Sequence, residues 1–212
     1  MVDRPVNVTF YRWAGSWGPF RVRTPCGECE LTADVIGNAL ANELRDIAVH
    51  LEVRNWLDAW WRPLVVGGWH APIIVVDGRV ISQGRVLNRG VFQEAVVRAH
   101  ARKVPIRGNH VYGKAGCGHC GRAMAYLDAA NIRYMRHDVV REPVALYAML
   151  ERVKPLIPRN APIAVPQIWI DGHHIGGAEA LSQLLGRAVP ARVDRGRSSL
   201  SPGDGLDHGT YT

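Results

Sequence analysis

The sequence has no long apolar stretch and no export signal. No uninterrupted hydrophobic run approaches the roughly 20 residues that cross a bilayer, and residues 1–10 lack the apolar region and small-residue cleavage site of a signal peptide. These absences predict a soluble, cytoplasmic protein that has no membrane partner.

The sequence also has no block of charge of one sign. Lysine and arginine number 26 against 19 aspartates and glutamates, a formal net charge of +7, but the excess is dispersed along the chain. Dispersed arginines argue against a nucleic-acid partner. Hydrophobic residues make up 47% and charged residues 21% of the 212 residues, a globular composition with room for two domains of about 100 residues each.

Cysteine is scarce, and the 4 cysteines form two Cys-x-x-Cys pairs, Cys26-Gly-Glu-Cys29 and Cys117-Gly-His-Cys120. In a reducing compartment such pairs indicate redox catalysis or metal binding rather than a disulfide scaffold. Apolar residues with strand alternation precede each pair, and apolar residues at helical spacing follow it. The pattern predicts a strand, a loop, a cysteine pair and a helix, twice.

The predicted helix start gives the second pair its chemistry. Unpaired backbone N–H groups and the helix dipole stabilise a thiolate there, so Cys117 is the predicted nucleophile. Cys120, one turn later, is the predicted resolving thiol that attacks the mixed disulfide on Cys117. Cys26 and Cys29 are predicted to form a second catalytic pair.

One residue inside each pair is predicted to tune its thiols. The His119 imidazolium would stabilise a thiolate, lower the pKa of Cys117 and make that site more oxidising, unless the side chain merely occupies an exposed turn. Glu28 would raise the thiol pKa at its own pair by like-charge repulsion. We therefore expect the pair that contains Glu28 to be the more reducing one.

The two halves repeat one plan. Residues 71–78, Ala-Pro-Ile-Ile-Val-Val-Asp-Gly, align with residues 165–172, Val-Pro-Gln-Ile-Trp-Ile-Asp-Gly. The charged segment after the last helix of the first half has little periodicity, which places a boundary there. The predicted domains are 1–103 and 104–190, and the polar segment 191–212 is predicted to be a disordered tail.

Several local predictions follow from the same patterns. They are an irregular loop over 12–25, a helix beyond Cys29 with apolar residues as far as Leu44, a tryptophan-rich helix within 56–66 that Pro63 bends or ends, a strand over 132–139 and a helix over 143–153. Trp13 and Trp17 on the loop are candidates for substrate contact, against the plainer interpretation that they pack in the core.

This order of elements resembles the thioredoxin fold, and the second half resembles a dithiol glutaredoxin. The residues that carry the resemblance are Lys114 before the pair, Val165-Pro166 at the start of a strand, and Gly176-Gly177 before the last helix. The resemblance implies that these residues, together with Glu179, bind glutathione. It also implies cis bonds before Pro166 and Pro72, which would turn the backbone of Val165 and Ala71 toward the cysteines.

The whole chain resembles a tandem protein disulfide oxidoreductase. The expected fold is α/β, with two tandem thioredoxin-fold domains, each a mixed β-sheet of about four strands flanked by helices. The expected function is thiol–disulfide exchange with glutathione as co-substrate and no tightly bound cofactor. The expected partners are disulfide-containing proteins or glutathione disulfide, with a thioredoxin or glutathione reductase system returning the electrons.

Two metal-binding alternatives remain open at this point. Gly118 stands where this family usually has proline, and glutaredoxins without that proline can bind a [2Fe–2S] cluster through the first cysteine, here Cys117, and glutathione. A zinc site with four thiolates is disfavoured, because each cysteine pair has a complete fold around it. We expect no resident metal.

Overall fold

The computed structural model describes residues 4–24 and 26–188, in which strands and helices alternate through both halves. The predicted disordered tail, 191–212, lies outside the described residues. The first half contains β1 (Val6–Arg12), β2 (Gly15–Trp17), β3 (Phe20–Val22), α1 (Gly27–Ala41), β4 (Val49–Asn55), a 3-10 turn (Leu57–Ala59), α2 (Trp61–Leu64), β5 (Ile73–Val76), β6 (Arg79–Gln83) and α3 (Arg89–Lys103). The second half contains β7 (His110–Gly113), α4 (Gly118–Ala129), β8 (Met135–Asp138), α5 (Pro143–Val153), a 3-10 turn (Lys154–Leu156), β9 (Gln167–Ile170), β10 (His173–Gly176) and α6 (Ala178–Ala188).

Each half has one four-stranded mixed sheet, and the strand order is the same in both. The orders are β4-β1-β5-β6 and β8-β7-β9-β10. In each sheet the first strand of the half, β1 or β7, is central, parallel to one neighbour and antiparallel to the other. The first cysteine of each pair therefore follows the carboxyl end of a central strand.

Alternation along the central strands builds a core on both sides of each sheet. In β1, Val6, Val8 and Phe10 are buried beneath α1 and α3, whereas Tyr11 faces the opposite side with Ile73. In β7, Val111 packs under α4 and α6 while Tyr112 packs against α5. Both sheets therefore have a layer that contains the cysteine-bearing helix on one face.

The aligned segments of the two halves share their backbone conformation. The Ala71–Pro72 and Val165–Pro166 bonds are both cis, as the resemblance implied. Asp77 and Asp171 both have positive φ, 46° and 49°, in the turns that follow β5 and β9.

The loop before the first cysteine pair is more ordered than we predicted. It contains the β2–β3 hairpin, in which Gly18 has a φ of 57° at the turn and the rings of Trp17 and Phe20 stack with centroids 6.3 Å apart. A two-residue hairpin turn needs positive φ, which glycine adopts without strain. We predicted an irregular loop because its glycines and prolines interrupt the strand pattern, and a short hairpin was missed.

The tryptophan-rich helix predicted within 56–66 is short. The segment contains a 3-10 turn and a helix of four residues, Trp61–Leu64. Pro63 has no N–H group to donate and is tolerated in the first turn of a helix, where it lies. The helix ends one residue after Pro63.

Two other element ends differ from the prediction. The first cysteine-bearing helix ends at Ala41, and Leu44 is buried by a turn in which its N–H donates to the Ala39 carbonyl. Strand β8 begins at Met135 rather than at residue 132, after a turn in which Asn131 has a φ of 54°. In both places an apolar residue outside the element contributes to the core, so hydrophobic periodicity overestimated the length.

The two halves meet through α3 and α5. Val144, Tyr147 and Ala148 of α5 pack against the core of the first half. At the edge of this contact the Glu151 carboxylate lies 2.9 Å from the Arg102 guanidinium. The halves therefore share an interface that combines apolar and charged contacts.

Among the described helices, none is both long enough and apolar enough to cross a bilayer.

The substitution Glu151→Gln tests this interface. Glu151 also pairs with Arg98 at 3.7 Å, so the change removes both ion pairs while keeping the side-chain shape. Because the groups are partly exposed, we expect a loss of about 0.5–1 kcal/mol in the free energy of unfolding, measured by urea denaturation. Glu43→Gln, which removes an ion pair with Arg89 inside the first half, should cost less. An equal loss would contradict a role of Glu151 between the halves.

Candidate active sites

The second cysteine pair lies at the start of α4. Cys117 is the N-cap residue, and its sulfur accepts a hydrogen bond from the backbone N–H of Cys120 at 3.3 Å. Gly116 precedes it with a φ of 69°, a conformation that glycine adopts without a steric penalty. The loop from β7 thus brings a cysteine sulfur to the free N–H groups of the helix.

These contacts lower the pKa of Cys117. The largest contribution is hydrogen bonding by the Cys120 side chain, whose sulfur lies 2.6 Å away; burial opposes it, and the N–H groups of Cys120 and His119 and the charge of Lys114 assist. Each of these donors and charges favours the thiolate. The pKa of Cys117 is thus shifted in the direction expected of a nucleophile, and its catalytic role stays a prediction.

Cys120 has the opposite character. Its side chain is buried, and burial followed by the hydrogen bond to Cys117 raises its pKa. Gly113, the last residue of β7, explains how the sulfur fits, because a Cβ at this position would lie 3.2 Å from Cys120 Sγ. The buried thiol of Cys120 stays protonated and donates to the sulfur of half-buried Cys117.

The cis-proline segment lies beside this pair. The Cys117 sulfur is 4.0 Å from the Val165 carbonyl oxygen. A Cβ at Gly177 would lie 3.9 Å from the Pro166 carbonyl oxygen, and Gly176 has a φ of 99°. The structure thus brings Val165, Pro166 and the glycine pair to the same side of the site as Cys117.

An ion-pair cluster closes the other side. Glu179, in the first turn of α6, lies 3.2 Å from the Arg122 guanidinium and 3.3 Å from His119 Nδ1. Arg122 and Glu179 line a cavity of about 370 Å³ between α4 and α6. Sequence reasoning missed Arg122, because its partner lies on a helix 57 residues later.

This cluster also changes the interpretation of His119. Its imidazole contacts Arg122 and Glu179, whereas its backbone N–H is the group that acts on Cys117. Tuning of the pair by the imidazole stays a prediction.

The first cysteine pair repeats the helix geometry with different surroundings. Cys26 is the N-cap residue of α1, and its sulfur lies 3.0 Å from that of buried Cys29. The Trp13 backbone N–H donates to Cys29 Sγ at 3.2 Å. Burial, followed by the hydrogen bond to Cys26, raises the pKa of Cys29 to about 11. The shift has the predicted direction at Cys29, but burial causes it and Glu28 does not contribute.

Ala71 and Pro72 occupy the position that corresponds to Val165 and Pro166. The Pro72 carbonyl accepts a hydrogen bond from Gly84 N–H at 3.1 Å, and Ala71 is buried. Among the described hydrogen bonds, none joins Ala71 to Cys26. A substrate-binding role for Ala71 and Pro72 therefore stays a prediction.

The described residues contain no group of three or more histidine, cysteine, aspartate or glutamate side chains placed to hold a metal ion.

Solved structures that align with part of this chain include glutaredoxins from plants. A complex of buckwheat glutaredoxin with glutathione aligns with 47% of this chain and 89% of that chain, at 24% identity and a TM-score of 0.37. The holo form of glutaredoxin C1 from Populus tremula x tremuloides aligns with 46% of this chain and 85% of that chain, at 17% identity and a TM-score of 0.38.

Sequence relatives match part of the chain. The glutaredoxin family model matches residues 110–175. Glutaredoxin 1 of Rickettsia conorii is 35% identical over 74 residues, which are 35% of this chain and 68% of the relative. Glutaredoxin 3 of Escherichia coli (strain K12) is 30% identical over 77 residues, which are 36% of this chain and 84% of the relative. With the cysteine pair at the helix start, these matches define a thiol–disulfide oxidoreductase. The chain belongs to the glutaredoxin family.

Gly113→Ala tests the packing behind Cys120. The added methyl group would meet both the sulfur and the Cβ of Cys120, at 3.2 and 3.3 Å. We expect a loss of about 1–3 kcal/mol in the free energy of unfolding, typical of overpacking. Gly118→Ala is the control, because a Cβ at Gly118 meets no atom within 4 Å. Equal stability of the two variants would contradict this packing.

A pair of substitutions at His119 separates its N–H from its imidazole. His119→Pro removes the N–H that acts on Cys117, so the Cys117 pKa should rise and its alkylation by iodoacetamide should slow at acidic pH. His119→Ala keeps the N–H and should change the alkylation profile less. If the alanine variant shifts the pKa as far as the proline variant, the imidazole is the tuning group instead.

Proposed function

We propose that this protein catalyses thiol–disulfide exchange at two sites, with glutathione as the small thiol at the second. The observation that carries the proposal is the pairing of a half-buried cysteine of lowered pKa, Cys117, with a buried cysteine of raised pKa, Cys120, at a helix start. Such a pair divides the two roles of the reaction, attack and resolution, between two thiols.

The exchange proceeds in two steps. The Cys117 thiolate attacks one sulfur of a substrate disulfide, so a mixed disulfide forms and the other substrate sulfur leaves and takes up a proton. Cys120 then loses its proton and attacks Cys117 Sγ, which releases the second substrate thiol. The substrate disulfide gains two electrons. The enzyme loses them, because Cys117 and Cys120 become a disulfide. Two glutathione molecules, oxidised to glutathione disulfide, restore both thiols.

The surroundings of Cys117 support glutathione as this thiol. Lys114 supplies a positive charge near the sulfur, and the Val165 carbonyl lies beside it. The cavity at Arg122 and Glu179 offers one charge of each sign, which suits a ligand with carboxylates and an amino group. We propose that Lys114, Val165, Pro166, Gly176, Gly177 and Glu179 form this binding surface.

The first half supports a second exchange site of the same architecture. Its sheet has the same strand order, its cis-proline has the same place, and Cys26 is the N-cap residue of its helix as Cys117 is, although the Cys26 sulfur accepts no capping hydrogen bond. We propose two tandem thioredoxin-fold domains, 1–103 and 104–190, with Cys26 and Cys29 as the second redox pair. A reducing compartment, the cytoplasm, is the proposed location.

Glutathione-coupled reduction of a small disulfide tests the function. Cys117→Ser should lower turnover at least about a hundredfold, because a hydroxyl at this position gives no nucleophile at neutral pH. Cys26→Ser/Cys29→Ser should leave a larger share of turnover with this substrate, since Cys117 and Cys120 remain. Retention of turnover by Cys117→Ser would contradict the assignment of the nucleophile.

The same proteins distinguish the cluster alternative. After anaerobic incubation with iron, sulfide and glutathione, a glutaredoxin that carries a [2Fe–2S] cluster is coloured and dimeric, and Cys117→Ser abolishes the colour. We expect a colourless protein with full exchange activity. A coloured dimer that has little exchange activity would favour the cluster carrier.

A further inference from the structure

A cavity lined by aromatic rings lies in the first half. Its volume is about 390 Å³, and it is lined by Trp13, Trp17, Trp56, Leu57 and Trp60. Every group that faces it is apolar. It is open to solvent, and Trp17 and Trp60 are 56% and 41% exposed. Large apolar surfaces left in water usually mark an interaction site.

The cavity is held in shape by the surrounding chain. The Asp58 carboxylate accepts hydrogen bonds from the Ser16 backbone N–H at 2.7 Å and from the Asn55 side-chain amide at 2.8 Å. These bonds fix the β2–β3 hairpin, which carries Trp17, against the segment that carries Trp60. The rings of Trp13 and Trp56 pack with centroids 5.1 Å apart. A ligand therefore finds a formed cavity rather than a loop that must fold.

The cavity adjoins the first cysteine pair. Trp13 contributes its indole to the lining, and its backbone N–H donates to Cys29 Sγ at 3.2 Å. Trp13 thus links the cavity to the first cysteine pair. The position favours a side chain that lies a few residues from the reacting sulfur.

Positive charge flanks the cavity on the hairpin side. Arg12, Arg21 and Arg23 line an adjoining depression of about 380 Å³, together with Asp58. The hydrogen bonds from Ser16 and Asn55 lower the pKa of Asp58 and engage its oxygens. The arginines therefore leave a net positive edge, which attracts acidic groups.

We propose that this cavity binds a large apolar side chain of a disulfide-bearing polypeptide that has acidic residues near its cysteine. The proposal rests on the exchange function at Cys26 and Cys29 and names its substrate class. Glutathione has no large apolar side chain to fill the cavity. The first site thus acts on polypeptides, whereas the polar cavity of the second site suits the small thiol.

The reaction at this site balances with the substrate as the oxidant. The Cys26 thiolate attacks a sulfur of the polypeptide disulfide, a Cys26–substrate bond forms, and the displaced sulfur takes up a proton. Cys29 loses its proton and attacks Cys26 Sγ, so the second substrate thiol leaves. The polypeptide gains two electrons, and Cys26 and Cys29 become a disulfide.

Three synthetic peptides, each with one internal disulfide, provide the probe. The first has leucine and aspartate beside a cysteine, the second has alanine in place of the leucine, and the third has lysine in place of the aspartate. The full chain with Cys117→Ser/Cys120→Ser, reduced beforehand, reports on the first site alone. We expect its second-order rate constant to be about tenfold or more higher with the leucine peptide than with the alanine peptide. The lysine peptide should react more slowly, most clearly at low salt.

Two tryptophan variants localise the effect. In Trp60→Ala the ratio of the leucine to the alanine rate constant should fall at least threefold, on the order of the area that one ring contributes. Trp61→Ala is the matched control. Trp61 is the neighbouring residue and is 55% exposed, but it does not line the cavity. It should keep the ratio of the unchanged chain.

The outcomes separate the two levels of the proposal. Equal rates with the leucine and alanine peptides, or an equal fall of the ratio in Trp60→Ala and Trp61→Ala, would overturn the cavity as a binding site and leave exchange at Cys26 intact. Failure to reduce any peptide or glutathione disulfide would overturn the exchange function of this pair, and the cavity proposal with it.

Discussion

The second site depends on the stabilisation of negative charge on a cysteine sulfur at the open end of a helix. Two backbone N–H groups, one thiol and one lysine all favour negative charge on Cys117 Sγ. A stabilised thiolate attacks at neutral pH and also leaves readily from a mixed disulfide. The segment that joins β7 to Cys117 is short, and it has a glycine at each end. Gly113 leaves room for the Cys120 sulfur, and Gly116 adopts the left-handed conformation that turns the chain into α4.

The same frame produces two sites with different properties. In both halves the first cysteine caps a helix and the second is buried, but the groups around them differ. Beside the second pair, Glu179 forms ion pairs with Arg122 and His119. At the first pair the Trp13 backbone N–H contacts Cys29 Sγ, and the pKa of Cys29, about 11, reflects burial. Since the fold is common to both, the difference in chemistry lies in the loops and first helical turns beside each pair.

Much of this arrangement could be predicted from the sequence, because it depends on local patterns. Strand alternation, the position of each cysteine pair and Pro143 at the start of α5 identify the order of elements. The cis bonds followed from the resemblance and not from the residues alone. The β2–β3 hairpin was missed because glycine-rich segments carry little periodicity.

The details that sequence reasoning missed depend on long-range contacts. Arg122 meets Glu179 only because α4 packs on α6. The pKa of Cys29 is raised by burial. The sequence predicted a raised thiol pKa at this pair, but attributed it to the charge of the adjacent Glu28. The imidazole of His119 likewise contacts Glu179, so the backbone N–H of His119 is the group that acts on Cys117. Spacing in the sequence shows which groups are near along the chain, but a pKa depends on all groups near in space.

The way in which the halves dock is consistent with two separate substrates. The interface uses α3 from the first half and α5 from the second. The charged cavity of the second site lies between α4 and α6, on the sheet face opposite α5. The tryptophan cavity includes Trp56, which packs on the face of the first sheet opposite α3. Docking therefore buries neither cavity, because each lies on the side of its own sheet that the interface does not use. The polypeptide proposed for one site and the small thiol proposed for the other would therefore bind to different surfaces.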